Sequence, residues 1–299
     1  VTTFLQQLIN GLTLGSVYAL IALGYTMVYG IIQLINFAHG EVYMVGAYLG
    51  IIFLTALAPL GLPPGAALLI AFLGSCVYCG AYGFALERVA YRPLRGAPRL
   101  SPLISALGMS IFLQNFVMLT QGTRDKVFPQ LFPLTGIVIK GANITYLQII
   151  IMVCAAALMV GLQLFIKNTK LGTAMRATSQ DMKMAAMVGI DINRVISVTF
   201  IIGSLLAAAA GVMIGLYYGL VNFFIGYIAG IKAFTAAVLG GIGNIPGAML
   251  GGILLGLMES FGAGYVSAEF KDVFAFGILI LILIVKPTGL LGEDVGEKS

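Results

Sequence analysis

The feature that most constrains this chain is a succession of apolar runs, each long enough to cross a hydrocarbon core as a helix, which takes about 20 residues. They lie near 5–30, 37–57, 65–86, 101–121, 146–166 and 195–218, and a less cleanly divided region adds 226–242, 246–262 and 270–286. The expected fold is therefore all-α: a polytopic transmembrane helix bundle with about eight to nine spans, some of them discontinuous. Composition agrees, since 60% of the 299 residues are hydrophobic, 9% are charged and mean hydropathy is +1.05. Soluble domains run to roughly 45–50% apolar and about 25% charged, so one soluble core could not hide this surface. A single membrane domain over 1–299 is expected, with the lipid bilayer as its solvent.

The formal charge of +5 is not the footprint of a nucleic-acid partner, because nine of the sixteen Lys and Arg residues fall in two short inter-helix stretches. Arg88, Arg92, Arg95 and Arg99 form the first, and Lys167, Lys170, Arg176, Lys183 and Arg194 the second. Positive charge collects on the cytoplasmic side of short loops, so both stretches are expected there. The runs 101–121 and 146–166 supply the even number of crossings this requires, and continued parity leaves Gly289 to Ser299 inside. The side of the N-terminus depends on whether 31–45 is a full crossing or a re-entrant bend. No Lys or Arg precedes Arg88, so the apolar start lacks the basic n-region of a secretory signal and is expected to remain as the first helix.

On the outer side, 122–145 is the one sizeable connection, and Gly136 to Thr145 reads as a short hairpin. It is either a docking surface or a loop that covers helix ends. Tyr29-Gly30 and Tyr218-Gly219 each end a long apolar run, and each is soon followed by Asn-Phe. Such a faint repeat is how transporters build a pathway from paired discontinuous helices. Glycines four apart recur at Gly11/Gly15, Gly46/Gly50, Gly226/Gly230, Gly247/Gly251 and Gly252/Gly256. Small faces of this kind let membrane helices approach closely, which speaks to packing more than to function.

Asn36-Phe37-Ala38-His39-Gly40-Glu41 carries the sole histidine, and with Glu41 the only ionisable side chains before Glu87 that bear acid or imidazole chemistry. Ionisable groups at membrane depth are costly and usually face a cavity or a partner. Asn36, His39 and Glu41 are thus candidates for a substrate pathway. The alternative is a structural break in which Asn36 caps the next helix and Glu41 meets the positive end of its dipole. His39 and Glu41 are two apart and do not face each other on a regular helix, so a direct pair requires unwinding at Gly40. A second interruption, Gly240 to Ala248, stops one helix and starts another, because glycines permit positive φ and Pro246 suits a first helical turn. Gly40, Gly241, Gly243, Asn244 and Pro246 are candidate hinge residues, or parts of tight helix connections.

The stretch 167–194 reads as two short cytoplasmic helices, with Thr178 or Ser179 capping the second and Gly189 ending it. Met182, Ala185, Ala186 and Gly189 fall on one face, and an apolar face toward the cytoplasm suits either a docked protein or headgroups. Cys76 and Cys79 form C-x-x-C inside an apolar run, where cysteine behaves as a small hydrophobe. No further ligands suggest a zinc site. No phosphate-binding Gly-Lys-Ser/Thr loop is present, so no enzyme activity, cofactor or metal is expected.

With those residues in view, the sequence resembles the LivH-type permease subunits of branched-chain amino-acid ABC importers over essentially its full length. The resemblance is carried by Asn10 to Ser16, Gly24 to Gly30, Ile35 to Glu41, Lys232 to Gly241 and Lys286 to Gly289. It implies a bacterial inner-membrane importer with a related second permease subunit, two ATP-binding cassette subunits and a periplasmic amino-acid-binding protein that delivers leucine, isoleucine or valine. It also implies that Arg176 to Ile190, which lacks the Glu-Ala-Ala opening of other importer classes, faces the ATPases. Arg176, Gln180, Asp181, Ala185, Ala186 and Gly189 are the expected coupling residues.

The expected mechanism is alternating access, in which ATPase closure moves 172–190 and the helix breaks at Gly40 and Gly243 absorb the change. Substrate recognition is expected mostly in the receptor, because beyond His39 and Glu41 the spans are read as nearly free of charge. An ion-coupled secondary transporter or a passive channel is the alternative, and the same scarcity of charge disfavours ion coupling.

Overall fold

The computed structural model describes residues 2–98, 100–133 and 135–292. Arg99 and Glu293 to Ser299, which entered the sidedness expectation, lie outside them. Among the described residues the helices are α1 (Thr2–Ile32), α2 (His39–Leu57), α3 (Pro64–Leu86), α4 (Leu100–Gln121), α5 (Tyr146–Asn168), α6 (Lys170–Gln180), α7 (Met182–Met187), α8 (Ile192–Tyr218), α9 (Ile225–Gly240), α10 (Ile245–Tyr265) and α11 (Lys271–Val285). Every apolar run has become a helix, and α6 and α7 fill the second basic stretch. Seven helical stretches among the described residues are long and apolar enough to cross a membrane; α9 and α11 are shorter, at 16 and 15 residues. The all-α polytopic bundle is the fold.

Local chemistry sets the helix ends. Thr145 opens α5 with a capping box, its hydroxyl accepting from the Gln148 amide while the Gln148 side chain accepts from the Thr145 amide. Asp191 caps α8 by accepting from the Arg194 amide at 3.2 Å, and Gly219 ends it in the left-handed conformation. Strands are minor: β1 (Lys126–Val127) pairs antiparallel with β4 (Leu220–Val221), and β2 (Gly136–Ile139) with β3 (Ala142–Thr145). The second pair is the expected hairpin, turned by Lys140 and Gly141 at φ 49° and 85°.

α1 and α8 form the centre, with 83% and 78% of their apolar windows enclosed, against 22% for α4. α4 therefore presents most of its apolar surface outward, where lipid or another subunit must cover it. α1 and α10 run antiparallel along a glycine seam: Gly11 meets Leu257, Gly15 meets Ile253, and Gly252 and Gly256 meet Ala19 and Gly15. Without a Cβ on these positions the two backbones touch. Gly46 does the same against Ala208 of α8.

The two basic stretches share one end of the bundle, where Arg95 Nη1 donates to Asn193 Oδ1 at 2.7 Å. At the opposite end the first turns of α1 meet the hairpin, Thr2 donating to the Lys140 carbonyl at 3.4 Å and Gln6 accepting from the Asn143 amide at 2.9 Å. The start of α1 thus lies at the hairpin end, opposite the two basic stretches. α1 runs from the hairpin end toward the basic end, and the connection 33–38 then turns back into the bundle. The His39 ring at the head of α2 sits against Gly24, eight residues and so about 12 Å of helix rise short of the end of α1.

α8 and α9 repeat this pattern in the opposite direction. The first turns of α2 and α9 meet inside the bundle, Gly40 lying against Gly226 and Gly230. The Tyr-Gly and Asn-Phe repetition therefore marks two helix pairs of inverted orientation, each with a discontinuity.

Candidate functional site

The first discontinuity spans 33–38, entered through Gln33 at φ 53°. Gly40 is not in the break but in the first turn of α2. Asn36 does not cap α2, whose N-cap is Ala38 without a side-chain bond; its Oδ1 instead accepts from the Tyr91 hydroxyl at 2.6 Å. The side chain is spent on tying the break to the end of the α3 region. His39 and Glu41 are both buried and point apart. The His39 ring packs edge-on to Tyr25 at 4.9 Å, whereas Glu41 Oε1 accepts from Ser110 Oγ of α4 at 3.1 Å. Gly40 stays helical, so the unwinding that a direct pair would need is absent. The Glu41 carboxylate stands at the N-terminal turns of both α2 and α9, where two sets of amide dipoles favour negative charge. Its Oε2 and His39 Nε2 are buried without a hydrogen-bond partner.

The second discontinuity joins α9 to α10 at the basic end. Gly241 and Gly243 take φ of 104° and 95°, values that side-chain-bearing residues avoid. Asn244 caps α10 by accepting from the Gly247 amide at 3.0 Å, with Pro246 in the first turn. The segment after α11 clasps this turn: the Leu290 and Leu291 amides donate to the Leu239 and Gly240 carbonyls at 2.9 and 3.0 Å, and Asn244 Nδ2 donates to the Leu291 carbonyl at 2.8 Å.

α6 and α7 cover the same end. Arg176 folds back on α5, donating to the Ile166 and Lys167 carbonyls at 2.5 and 3.2 Å, so it fixes the α5–α6 corner. Gln180 and Asp181 are exposed, and Asp181, rather than Thr178 or Ser179, caps α7 by accepting from the Lys183 and Met184 amides at 2.8 and 3.0 Å. Thr178 is buried and bonds within α6 to the Ala174 carbonyl at 2.7 Å. Ala185 faces inward, whereas Ala186 and Gly189 are exposed. The outward apolar surface is instead Met184, Met187 and Val188, at 61%, 81% and 76% exposure. A small cavity of about 100 Å³ lies between Met175 and Arg176 of α6, Gly30 and Ile31 of α1, and Gly243. α6 therefore borders both the end of α1 and the α9–α10 turn.

The expectation that spans beyond His39 and Glu41 are nearly free of charge is overturned. Glu87 is fully buried, accepting from Ser197 Oγ at 2.7 Å and ion-paired with Arg95. Burial draws the Arg95 guanidinium down from its ordinary value, and the neighbouring Glu87 opposes that shift. Deeper still, Lys232 Nζ of α9 lies 2.8 Å from Glu259 Oε1 of α10 and 2.7 Å from Asp272 Oδ1 of α11. The Tyr18 hydroxyl of α1 donates to Glu259 Oε2 at 2.9 Å. Tyr18, Lys232 and Glu259 line a cavity of about 350 Å³ whose lining also includes Asp125, Asn222 and Lys271 at the hairpin end, and Asp272 reaches it only through Lys232. The signal that finds Lys232 and Glu259 in sequence is the one that singles out Glu41, an ionisable residue inside an otherwise apolar run.

Residues 7–283 match the family model described as the branched-chain amino acid transport system permease component. This chain belongs to that permease family. The permease is 56% identical over 99% of its length to the high-affinity branched-chain amino acid transport system permease protein BraD of Pseudomonas aeruginosa, covering 98% of that protein. It is 53% identical to the Escherichia coli LivH permease protein, over 99% of this chain and 97% of the relative. A Methanocaldococcus jannaschii protein named a probable branched-chain amino acid transport permease is 27% identical over 92% and 88% of the two chains. As a permease component, the chain works within a multi-subunit transport system in the membrane, and the family does not favour the secondary-transporter or channel alternative.

Proposed function

We propose that this permease forms one half of the translocation pathway of an ATP-binding-cassette importer that carries leucine, isoleucine and valine across the bacterial inner membrane. Separate ATPase subunits supply the energy, a related second permease completes the pathway, and a periplasmic binding protein delivers the amino acid. The observation that carries the reading is the full-length similarity, at 56% and 53% identity, to two relatives named for that transport.

Geometry supplies a route for coupling. The exposed Met184, Met187 and Val188 give a partner ATPase an apolar foothold, and α6 packs on the end of α1 and faces the α9–α10 turn across a small shared cavity, the route by which its displacement reaches both. The discontinuity at Gly241 to Asn244 and the break at 33–38, rather than Gly40 itself, are where helices change direction as access alternates. Gly40 keeps α2 and α9 in contact at the crossing.

The test is reconstitution: the chain, co-purified with its ATPases and second permease, is placed in proteoliposomes and labelled leucine uptake is measured. Uptake that requires both ATP and the receptor is expected. Normal uptake after Gly189→Trp combined with Asp181→Arg would count against coupling through α6 and α7.

A further inference from the structure

We infer that the outer cavity lined by Lys232 and Glu259, with Asp272 resting on Lys232, is a binding site for the substrate's zwitterionic head, so that this chain itself reads the charged ends of a free amino acid. The inference rests on the proposed import of amino acids and adds to it a site within the permease.

Four observations converge on it. Lys232 and Glu259 are nearly completely enclosed, and ionisable groups at that depth persist where they serve a pathway or a ligand. They flank a cavity of about 350 Å³, at the small end of the range for ligand pockets, roughly 300 to 1,000 Å³, which suits one amino acid better than a peptide. Beside the polar Asp125, Asn222 and Lys271, its lining includes Ile214, Ile225, Ile228 and Ala229, which are available to a branched side chain. Lys232 is also held unequally by its two carboxylates. Glu259 is fixed by Tyr18 and hydrogen-bonded to Nζ, while Asp272 stands on a half-exposed side chain and its Oδ1, though 2.7 Å from Nζ, lacks hydrogen-bond alignment.

Asp272 is therefore the carboxylate that a substrate displaces. An incoming α-carboxylate takes its place on Lys232 Nζ, and the α-ammonium is received by the released Asp272 or by Glu259. Each charge exchanges one opposite partner for another, so no unpaired ion is left in low dielectric. A ligand with only one of the two charges leaves a buried group unpaired and is rejected.

The experiment uses the reconstituted importer with its receptor. Changing Lys232→Met and Glu259→Met together removes both charges; replacing a buried pair by apolar residues of similar volume is often neutral for folding. Co-purification of all subunits and the thermal midpoint report on the fold, and labelled leucine uptake reports on the site. The expected result is an assembled importer whose uptake falls about tenfold or more, the worth of one or two charge-assisted hydrogen bonds. Wild-type uptake by the double variant overturns the inference, since the pair is then only structural. Ile228→Trp is the second arm: it fills the cavity without touching a charge, and unchanged uptake equally overturns the inference. If the unaltered importer itself fails to carry leucine, the parent proposal falls instead.

Discussion

The glycine seam between α1 and α10 gives a stability prediction whose size follows from distances. A methyl group at Gly15 would stand 2.7 Å from Ile253 Cα and 2.8 Å from its carbonyl oxygen, whereas carbon contacts settle at about 3.5–4.0 Å. Both neighbours are backbone and cannot rotate away, so Gly15→Ala must part the two helices by about 1 Å, with overpacking of this kind costing about 1–3 kcal/mol. The gain in helix propensity returns at most about 1 kcal/mol. A net loss of about 1–2 kcal/mol, or about 2–8 °C in thermal midpoint, is expected when unfolding of the detergent-purified protein is followed by loss of its monodisperse peak. Gly161→Ala in α5 is the matched control, because a Cβ there meets nothing within 4 Å and only the propensity gain remains. If Gly15→Ala proves as stable as Gly161→Ala, backbone contact across the seam is not what holds α1 to α10.

Arg95→Ala strips the fully buried Glu87 of its cation and should destabilise by about 3 kcal/mol, with Glu87→Gln in the same chain restoring much of the loss in a thermal-shift cycle. Asp181→Ala removes the cap of α7 and should cost that short helix about 1 kcal/mol, visible as faster amide exchange over 182–190 while α5 and α8 keep their protection. Met187→Glu places a charge on the 81% exposed apolar tip of α7; the stability should hold within about 0.5 kcal/mol, while ATPase subunits are retained in smaller amounts in a pull-down.

Every span was legible because a hydrocarbon solvent demands long apolar runs whose backbone bonds close internally, and the hairpin was legible because Lys140-Gly141 suits a tight turn between short apolar strands. Connections were harder. The break at 33–38 is entered through Gln33, which takes a left-handed conformation that glycine adopts far more readily, so attention falls on Gly40 instead, which is helical and serves close packing. The cap of α7 was misplaced because Thr178, Ser179 and Asp181 are all competent N-caps, and only the fold decides which hydroxyl is buried within α6. The cluster of Lys232, Glu259 and Asp272 escapes a reading run by run, since each residue sits on a different helix and the pairing exists only once α9, α10 and α11 are side by side. Glycine positions could be read as packing residues, but not which seam each one closes.

α11 also joins the two ends of the molecule. Asp272, at its head, rests on Lys232 of the chamber wall, and the residues just past its tail are stitched by backbone bonds into the bend between α9 and α10. That bend is consequently not a loose swivel. One short rod thus carries at its head the carboxylate that rests on Lys232 and is anchored past its tail to the α9–α10 bend.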